Sequence, residues 1–147
     1  MRDRGLGLVV VTNQSAVGRG YFDLDRLAEI HVRLRELLAA EGVELDGIYA
    51  CPHTSDAGCD CRKPQTGLVR RAAEELNFRP EECFVIGDKP SDIDLGRAVG
   101  AATILVRTGY GAGHEAAKTA TPDFIADDLL QAAAWIVRKL DGPNIPA

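Results

Sequence analysis

Residues 83–106 read CFVIGDKPSDIDLGRAVGAATILV. The apolar run from Cys83 to Ile86 predicts a strand that closes in Gly87-Asp88. Ser91 to Val99 has helical spacing, and Thr103 to Val106 is again β-branched and apolar. Strand, helix and strand in so short a span form a βαβ unit, which requires a parallel sheet with the helix laid across one face. Within it, Cys83 reads as a small core residue of the strand rather than a ligand.

The same alternation extends toward both termini. Leu6 to Thr12 (LGLVVVT) is a nearly unbroken valine-rich run, as expected of a strand covered on both faces, and it ends in the polar turn Thr12-Asn13-Gln14-Ser15. Asp23 to Ala40 carries Leu27, Ile30, Leu34, Leu37 and Leu38 at helical spacing, with Asp23 as N-cap and Gly42 as the stop. Gly47 to Ala50 predicts a second strand that runs into a loop from Cys51 to Lys63. A helix over 66–77 follows, ended before Pro80. Phe124 to Ala126 is a very short further strand. The last helix, 127–140, is expected to bury Leu129, Ala133, Ile136, Val137 and Leu140, with Trp135 in the core.

This pattern predicts an α/β fold: a Rossmann-like three-layer sandwich with a mainly parallel sheet, in one domain over 1–141 with a tail at 142–147. In such folds ligands lie beyond the carboxyl ends of the strands. The polar clusters at 12–15, 61–64 and 87–92 all fall at or just after strand ends, so they are expected to converge on one edge.

The 147 residues carry 17 Lys+Arg against 22 Asp+Glu, a net charge of -5, with 46% hydrophobic and 27% charged residues. The acidic balance argues against nucleic acid or an anionic membrane as partner, and the apolar runs are far shorter than the ~18 residues a span needs. No signal-peptide core is visible at residues 1–12, so a cytoplasmic protein is expected. An anionic substrate would have to be held by locally placed cations.

Cys51-Pro-His53 and Cys59-Asp-Cys61 supply three thiolates and an imidazole around a short loop. That is a closed tetrahedral set for Zn²⁺ with no position left for water, so the metal would be structural and would staple the loop. Arg62 and Lys63 follow directly, either as an oxyanion site aimed by the metal or as a solvated basic pair. Asp88, ahead of Lys89 and Asp92, is placed either to bind a hard cation such as Mg²⁺ or to cap a helix. Residues 12–15 offer a hydroxyl, amides and turn N–H groups, a phosphate cradle or simply a turn. His31 reads as a structural histidine, and residues 109–113 (GYGAG) as a flexible loop rimming the site, with His114 at its end.

Four stretches, VVVTNQSAVGRGYF (9–22), DGIYACPH (46–53), CDCRKPQTGL (59–68) and FVIGDKPSDIDLGRAVGA (84–101), together resemble haloacid-dehalogenase-type phosphatases of the D-glycero-D-manno-heptose-1,7-bisphosphate phosphatase group. That group is itself similar to the phosphatase domain of histidinol-phosphatase enzymes, though the TNQS wording and Gly67 look closer to the heptose enzymes. The resemblance implies a Mg²⁺-dependent sugar-phosphate phosphatase, monomeric, acting on a small phosphorylated sugar of lipopolysaccharide precursor synthesis. It implies a zinc-stapled loop in place of a large cap. By the resemblance, Thr12 binds the transferring phosphoryl group, Lys63 stabilises it and Asp88 holds Mg²⁺. Thr12, Asn13, Gln14, Ser15, Arg62, Lys63 and Lys89 contact substrate, and Cys51, His53, Cys59 and Cys61 hold zinc.

One part of the pattern is missing. The family's first motif, a strand ending in Asp-x-Asp-Gly-Thr that supplies the nucleophile, is not found. Asp23-Leu24-Asp25 and Asp92-Ile93-Asp94 have the spacing but sit at or in helices. The expectation is a chain shortened upstream, lacking the first strand and with little or no turnover. A non-catalytic zinc-binding domain for a phosphosugar or a partner is the alternative of another class, and histidinol phosphate the alternative substrate.

Overall fold

A computed structural model describes residues 4–142 of the chain. The expected tail at 142–147 therefore lies almost wholly outside the described residues. Two compact units divide between Phe78 and Arg79.

The first unit contains β1 (Val9–Asn13), α1 (Ser15–Gly18), α2 (Leu24–Ala40), β2 (Gly47–Cys51) and α3 (Gly67–Leu76). β1 and β2 pair in parallel, from Val9 opposite Gly47 to Asn13 opposite Cys51. The ladder starts later than the apolar run because Leu8 donates its N–H to the Asp46 carboxylate at 2.6 Å rather than to a neighbouring strand. Tyr49, Cys51, Leu68 and Ala72 form the core, with Val9, Val11, Leu76 and Phe78 packed against it. Tyr49 is anchored at its polar end by a 2.8 Å hydrogen bond to Glu75, and the Arg71 guanidinium lies over its ring.

Two expectations for this unit need correction. β1 was expected to be covered on both faces, yet all five of its residues are only half-buried, and among the described residues it has a hydrogen-bonded neighbour on one side alone. α2 is capped by Asp23, which accepts from the Arg26 N–H at 2.9 Å, but of its apolar stripe only Leu27 is buried; Ile30 and Leu37 are 45% and 52% exposed. Amphipathic spacing forms the helix here, but no other element packs extensively on that stripe among the described residues.

In the second unit, a 3-10 turn (Pro80–Glu82) leads into β3 (Phe84–Gly87), α4 (Pro90–Ala98), β4 (Ala102–Val106), α5 (Gly111–Ala116), β5 (Phe124–Ala126) and α6 (Leu129–Asp141). The sheet order is β3-β4-β5, all parallel. β4 is its centre, and Thr103 to Val106 are buried. The buried Thr103 gives both its N–H and its hydroxyl to Asp123, at 2.7 and 2.8 Å. These bonds hold the Asp123 carboxyl below its ordinary pKa.

Trp135 of α6 stacks on Phe124 and meets Phe84 edge-on, as its core assignment requires. The buried stripe of α6 is rotated from the expected one: Ala132 and Ile136 are buried, whereas Leu129 and Leu140 are 64% and 45% exposed. Cys83 precedes β3 rather than lying in it, is half-buried, and donates its thiol to the Arg79 carbonyl. The loop expected over residues 109–113, with His114 at its end, instead turns into α5 at Gly111, because Arg107 and Tyr110 carbonyls accept the first turn's N–H groups.

All strand pairs are parallel, as the βαβ reading demands, but the strands form two hydrogen-bonded sets rather than one sheet. Among the described residues no strand pairs with the second edge of either β1 or β3. No described helix is long and apolar enough to cross a membrane.

Gly111 illustrates how tightly β4 and α5 meet. A Cβ there would lie 1.7 Å from the Val106 carbonyl oxygen. Gly→Ala in a helix ordinarily stabilises by about 1 kcal/mol, but here the backbone clash outweighs it. Gly111→Ala is expected to destabilise by about 2–3 kcal/mol, measured as a lowered urea midpoint; an unchanged or raised midpoint would show that the α5 start is free to shift.

Candidate functional site

The loop leaving β2 brings the cysteine and histidine side chains together. Cys51 Sγ lies 3.6 Å from His53 Nδ1, 3.6 Å from Cys59 Sγ and 3.0 Å from Cys61 Sγ, and His53 Nδ1 is 3.2 Å from Cys61 Sγ. All four donor atoms lie within 4.8 Å of one another, and no cysteine is in a disulfide. A tetrahedral Zn²⁺ with sulfur ligands at ~2.3 Å puts the sulfurs about 3.8 Å apart. The donor set therefore fits zinc in chemistry and spacing. Without a metal the site divides its charge unevenly. Burial opposes ionisation of Cys59, but the thiols of Cys61 and Cys51 and the N–H groups of Arg62 and Cys61 together bring it down to about 6. Burial, then the neighbouring Cys51 and Cys59, push Cys61 up to about 12.

The metal loop hands the chain directly to the cations. Arg62 donates to the His53 carbonyl at 3.3 Å, inside the turn that the cluster closes. Lys63 is half-buried, and its ammonium donates to the Val11 carbonyl in the middle of β1 at 2.7 Å. Asn13 clamps it from the neighbouring strand: the Lys63 N–H donates to Asn13 Oδ1 at 2.9 Å, and Asn13 Nδ2 donates to the Lys63 carbonyl at 3.2 Å. Gln14 donates from Nε2 to the Thr12 hydroxyl at 2.9 Å, and from its backbone N–H to the Cys51 carbonyl. Ser15 begins α1, whose end is pressed so close to Pro52 that a Cβ on Gly18 would meet the Pro52 carbonyl at 2.7 Å. Gly67 closes the same loop onto the Asp60 carbonyl. The structure thus gathers Thr12, Asn13, Gln14, Arg62 and Lys63 around the end of β1, beside the cysteine cluster. The clamping role of Asn13 was not read from the sequence, because it needs the register of β1 against residue 63.

Asp88 and Lys89 follow β3 in the second unit. Asp88 Oδ2 accepts the Tyr110 N–H at 3.0 Å, and among the described residues no other donor reaches this carboxylate. A carboxylate at a strand end with spare oxygen capacity fits a Mg²⁺ ligand. Asp92 does the capping that Asp88 might otherwise have done: it is buried and accepts the Lys89 N–H at 3.1 Å. Gly87 is required beneath it, since a Cβ there would fall 2.3 Å from the Asp92 carboxylate. The two Asp-x-Asp pairs are both helix-start features, Asp23 capping α2 and Asp92 capping α4. His31 lies in α2, where burial and then Arg35 lower its pKa.

Comparison with known proteins identifies the family. The family model described as HAD-hydrolase-like matches residues 60–132. The D-glycero-beta-D-manno-heptose-1,7-bisphosphate 7-phosphatase of Pseudomonas putida is 41% identical over 136 residues, covering 92% of this chain and 75% of that protein. Its namesake in Neisseria meningitidis serogroup B is 34% identical over 146 residues, covering 95% and 76%. Among solved structures, the D,D-heptose 1,7-bisphosphate phosphatase from B. bronchiseptica, complexed with magnesium and phosphate, superposes with a TM-score of 0.87 at 32% identity, over 94% of this chain and 78% of that one. The phosphatase of the same name from Burkholderia thailandensis gives 0.71 at 29%, over 92% and 78%.

The fold is that of the haloacid-dehalogenase-like hydrolases, and the class of enzyme is a phosphoric monoester hydrolase. At this identity and coverage the resolution goes further. The chain belongs to the family of D-glycero-beta-D-manno-heptose-1,7-bisphosphate 7-phosphatases.

Proposed function

We propose that this chain binds D-glycero-D-manno-heptose 1,7-bisphosphate as a Mg²⁺-dependent 7-phosphatase of its family does, and that the covalent step needs an aspartate its 147 residues do not contain. The observation that carries the substrate is the 41% identity, over 92% of the chain, to an enzyme of that name. Thr12 and Lys63 take phosphoryl oxygens, the hydroxyl by hydrogen bonding and the ammonium by offsetting their charge. Asn13 and Gln14 hold those two groups in place and lie within reach of substrate. Arg62, Ser15 and Lys89 contact the rest of the phosphosugar, where a planar guanidinium suits a second phosphate.

Asp88 is the Mg²⁺ ligand, and the ion when bound supplies charge neutralisation at the phosphoryl group. Cys51, His53, Cys59 and Cys61 hold a structural Zn²⁺ that keeps Arg62 and Lys63 aimed. The same reading takes the protein as cytoplasmic, which the cluster of unpaired thiols supports.

Hydrolysis through a phosphoenzyme requires a carboxylate oxygen to form a bond to phosphorus as the bond to the sugar oxygen breaks. Neither Asp-x-Asp pair is placed for this, since Asp23 and Asp92 are both committed as helix caps. The test is calorimetry and phosphate release on the 147-residue chain with Mg²⁺ and each of two ligands. Heptose bisphosphate is expected to bind without release of phosphate above background, and histidinol phosphate to bind more weakly. Rapid release would overturn the missing-nucleophile argument, and no heat of binding would overturn the phosphosugar reading.

A further inference from the structure

Tyr110 belongs to none of the groups assigned above, yet it touches both consecutive site residues that follow β3. It lies 66% exposed on the turn between β4 and α5. Its backbone N–H holds Asp88 Oδ2 at 3.0 Å, and its ring takes the Lys89 ammonium at 4.7 Å from the centroid.

The turn that carries Tyr110 is built to press against the carboxylate. Gly109 has φ +64°, and a Cβ on it would lie 2.3 Å from Asp88 Oδ2, so both the conformation and the approach need glycine. The base of the turn is clamped as well. Arg107 makes a two-pronged ion pair with Glu115 of α5, at 2.7 and 2.8 Å, and a further one with Asp127 after β5. Glu115 and then Asp127 raise the Arg107 pKa accordingly. A rigid turn thus presents a large aromatic ring to solvent beside the site, where burial gains it little. Lysine has many rotamers and disperses its charge in water; an aromatic face within ~6 Å selects those in which the ammonium stays put.

We propose that Tyr110 is a positioning residue of the phosphosugar site, holding the Lys89 ammonium over its ring so that it meets an incoming phosphate beside Asp88. The proposal rests on the phosphosugar reading above. Its test uses inorganic phosphate as the probe, titrated by calorimetry into the 147-residue protein with saturating Mg²⁺. Tyr110→Ala is expected to weaken phosphate binding about three- to fivefold, and Tyr110→Phe, which keeps the ring, to restore it. Lys89→Ala should lose at least as much, and Tyr110→Ala added to Lys89→Ala should lose nothing further.

A ligand-free readout checks the pair itself: in NMR spectra the Lys89 Cε protons should be shifted upfield by the ring in the wild type and in Tyr110→Phe, and lose that shift in Tyr110→Ala. Additive losses in the double variant, wild-type binding by Tyr110→Ala, or an unshifted Lys89 would each overturn the positioning role alone. Failure of the wild type to bind phosphate at all would overturn the reading of the site, and this proposal with it.

Discussion

Stripping zinc from the Cys51, His53, Cys59 and Cys61 cluster is expected to lower the melting temperature of the chain by about 15 °C. Metal present at about 1,000 times its dissociation constant contributes about 4 kcal/mol, and in a unit of this size each kcal/mol moves the midpoint by roughly 4 °C. The effect should be this large because the cluster is not an appendage. Cys51 has no solvent exposure, packs with Tyr49, Leu68 and Ala72, and is the last residue of β2, opposite Asn13. Loosening it loosens the sheet end at which Asn13 clamps Lys63. Calorimetric melting with and without a chelator, with bound zinc quantified, makes the measurement; Cys61→Ser should reproduce the chelated value. A shift of only a degree or two would remove the structural metal.

The same site predicts the direction of a pH effect. Zinc takes cysteine as thiolate and histidine as neutral imidazole, so protons compete with it and metal-dependent stability is lost as pH falls. In the metal-free protein Cys59, drawn down to about 6, is already largely thiolate at neutral pH and should alkylate ahead of Cys61, which is pushed up to about 12. For Cys59 the folded pKa lies below the ordinary thiol value, so its own contribution to stability is present above about 9 and is lost as pH falls through about 6. Added zinc should protect both residues.

The second large effect is expected at Lys63. Replacing it by methionine keeps the stem and removes the charge, and should weaken binding of heptose bisphosphate by about 100-fold, the scale set by losing one partner of a close charge pair. The fold should lose only about 1 kcal/mol, the scale of a hydrogen bond such as that of the ammonium to the Val11 carbonyl. Calorimetric titration against the wild type, with the melting temperature as control, separates the two. Near-normal binding by Lys63→Met would move the phosphate elsewhere. Arginine should not rescue, because its planar fork is too long for a position tied down at both backbone groups by Asn13.

Much of this was legible in the amino-acid order because it depends on short-range rules. The period of apolar residues marked each strand and most helices, Asp23 announced the start of α2, and the cysteine and histidine spacing announced four side chains that do meet. What failed were parts of the facing: Leu27 and Ile136 are buried as expected, but Ile30, Leu37, Leu129 and Leu140 are not. Leu129 and Leu140 continue the helical period of α6, yet the sheet takes Ala132 and Ile136, because the small alanine lets the helix approach. The β1 valines read as covered on both faces, but coverage is a property of neighbours and not of the strand itself. Residues 109–113 read as loop because glycine is a poor helix former, yet α5 starts at Gly111, where the contact with the Val106 carbonyl admits no larger side chain.

By itself, then, the sequence determined the α/β class, the order of the strands and longer helices, the clustering of three cysteines with a histidine and the absence of a strand-end Asp-x-Asp, since each is written in local spacing and residue type. Only the tertiary structure decided that Asn13 clamps Lys63 across 50 residues of chain, that Asp92 rather than Asp88 caps α4, and that Tyr110 holds Asp88 and Lys89. Those contacts join residues far apart in the chain or choose between near-identical neighbours. Strand register and the close approach of backbone at Gly87 and Gly109 fix them, and neither leaves a periodic trace in the order of amino acids.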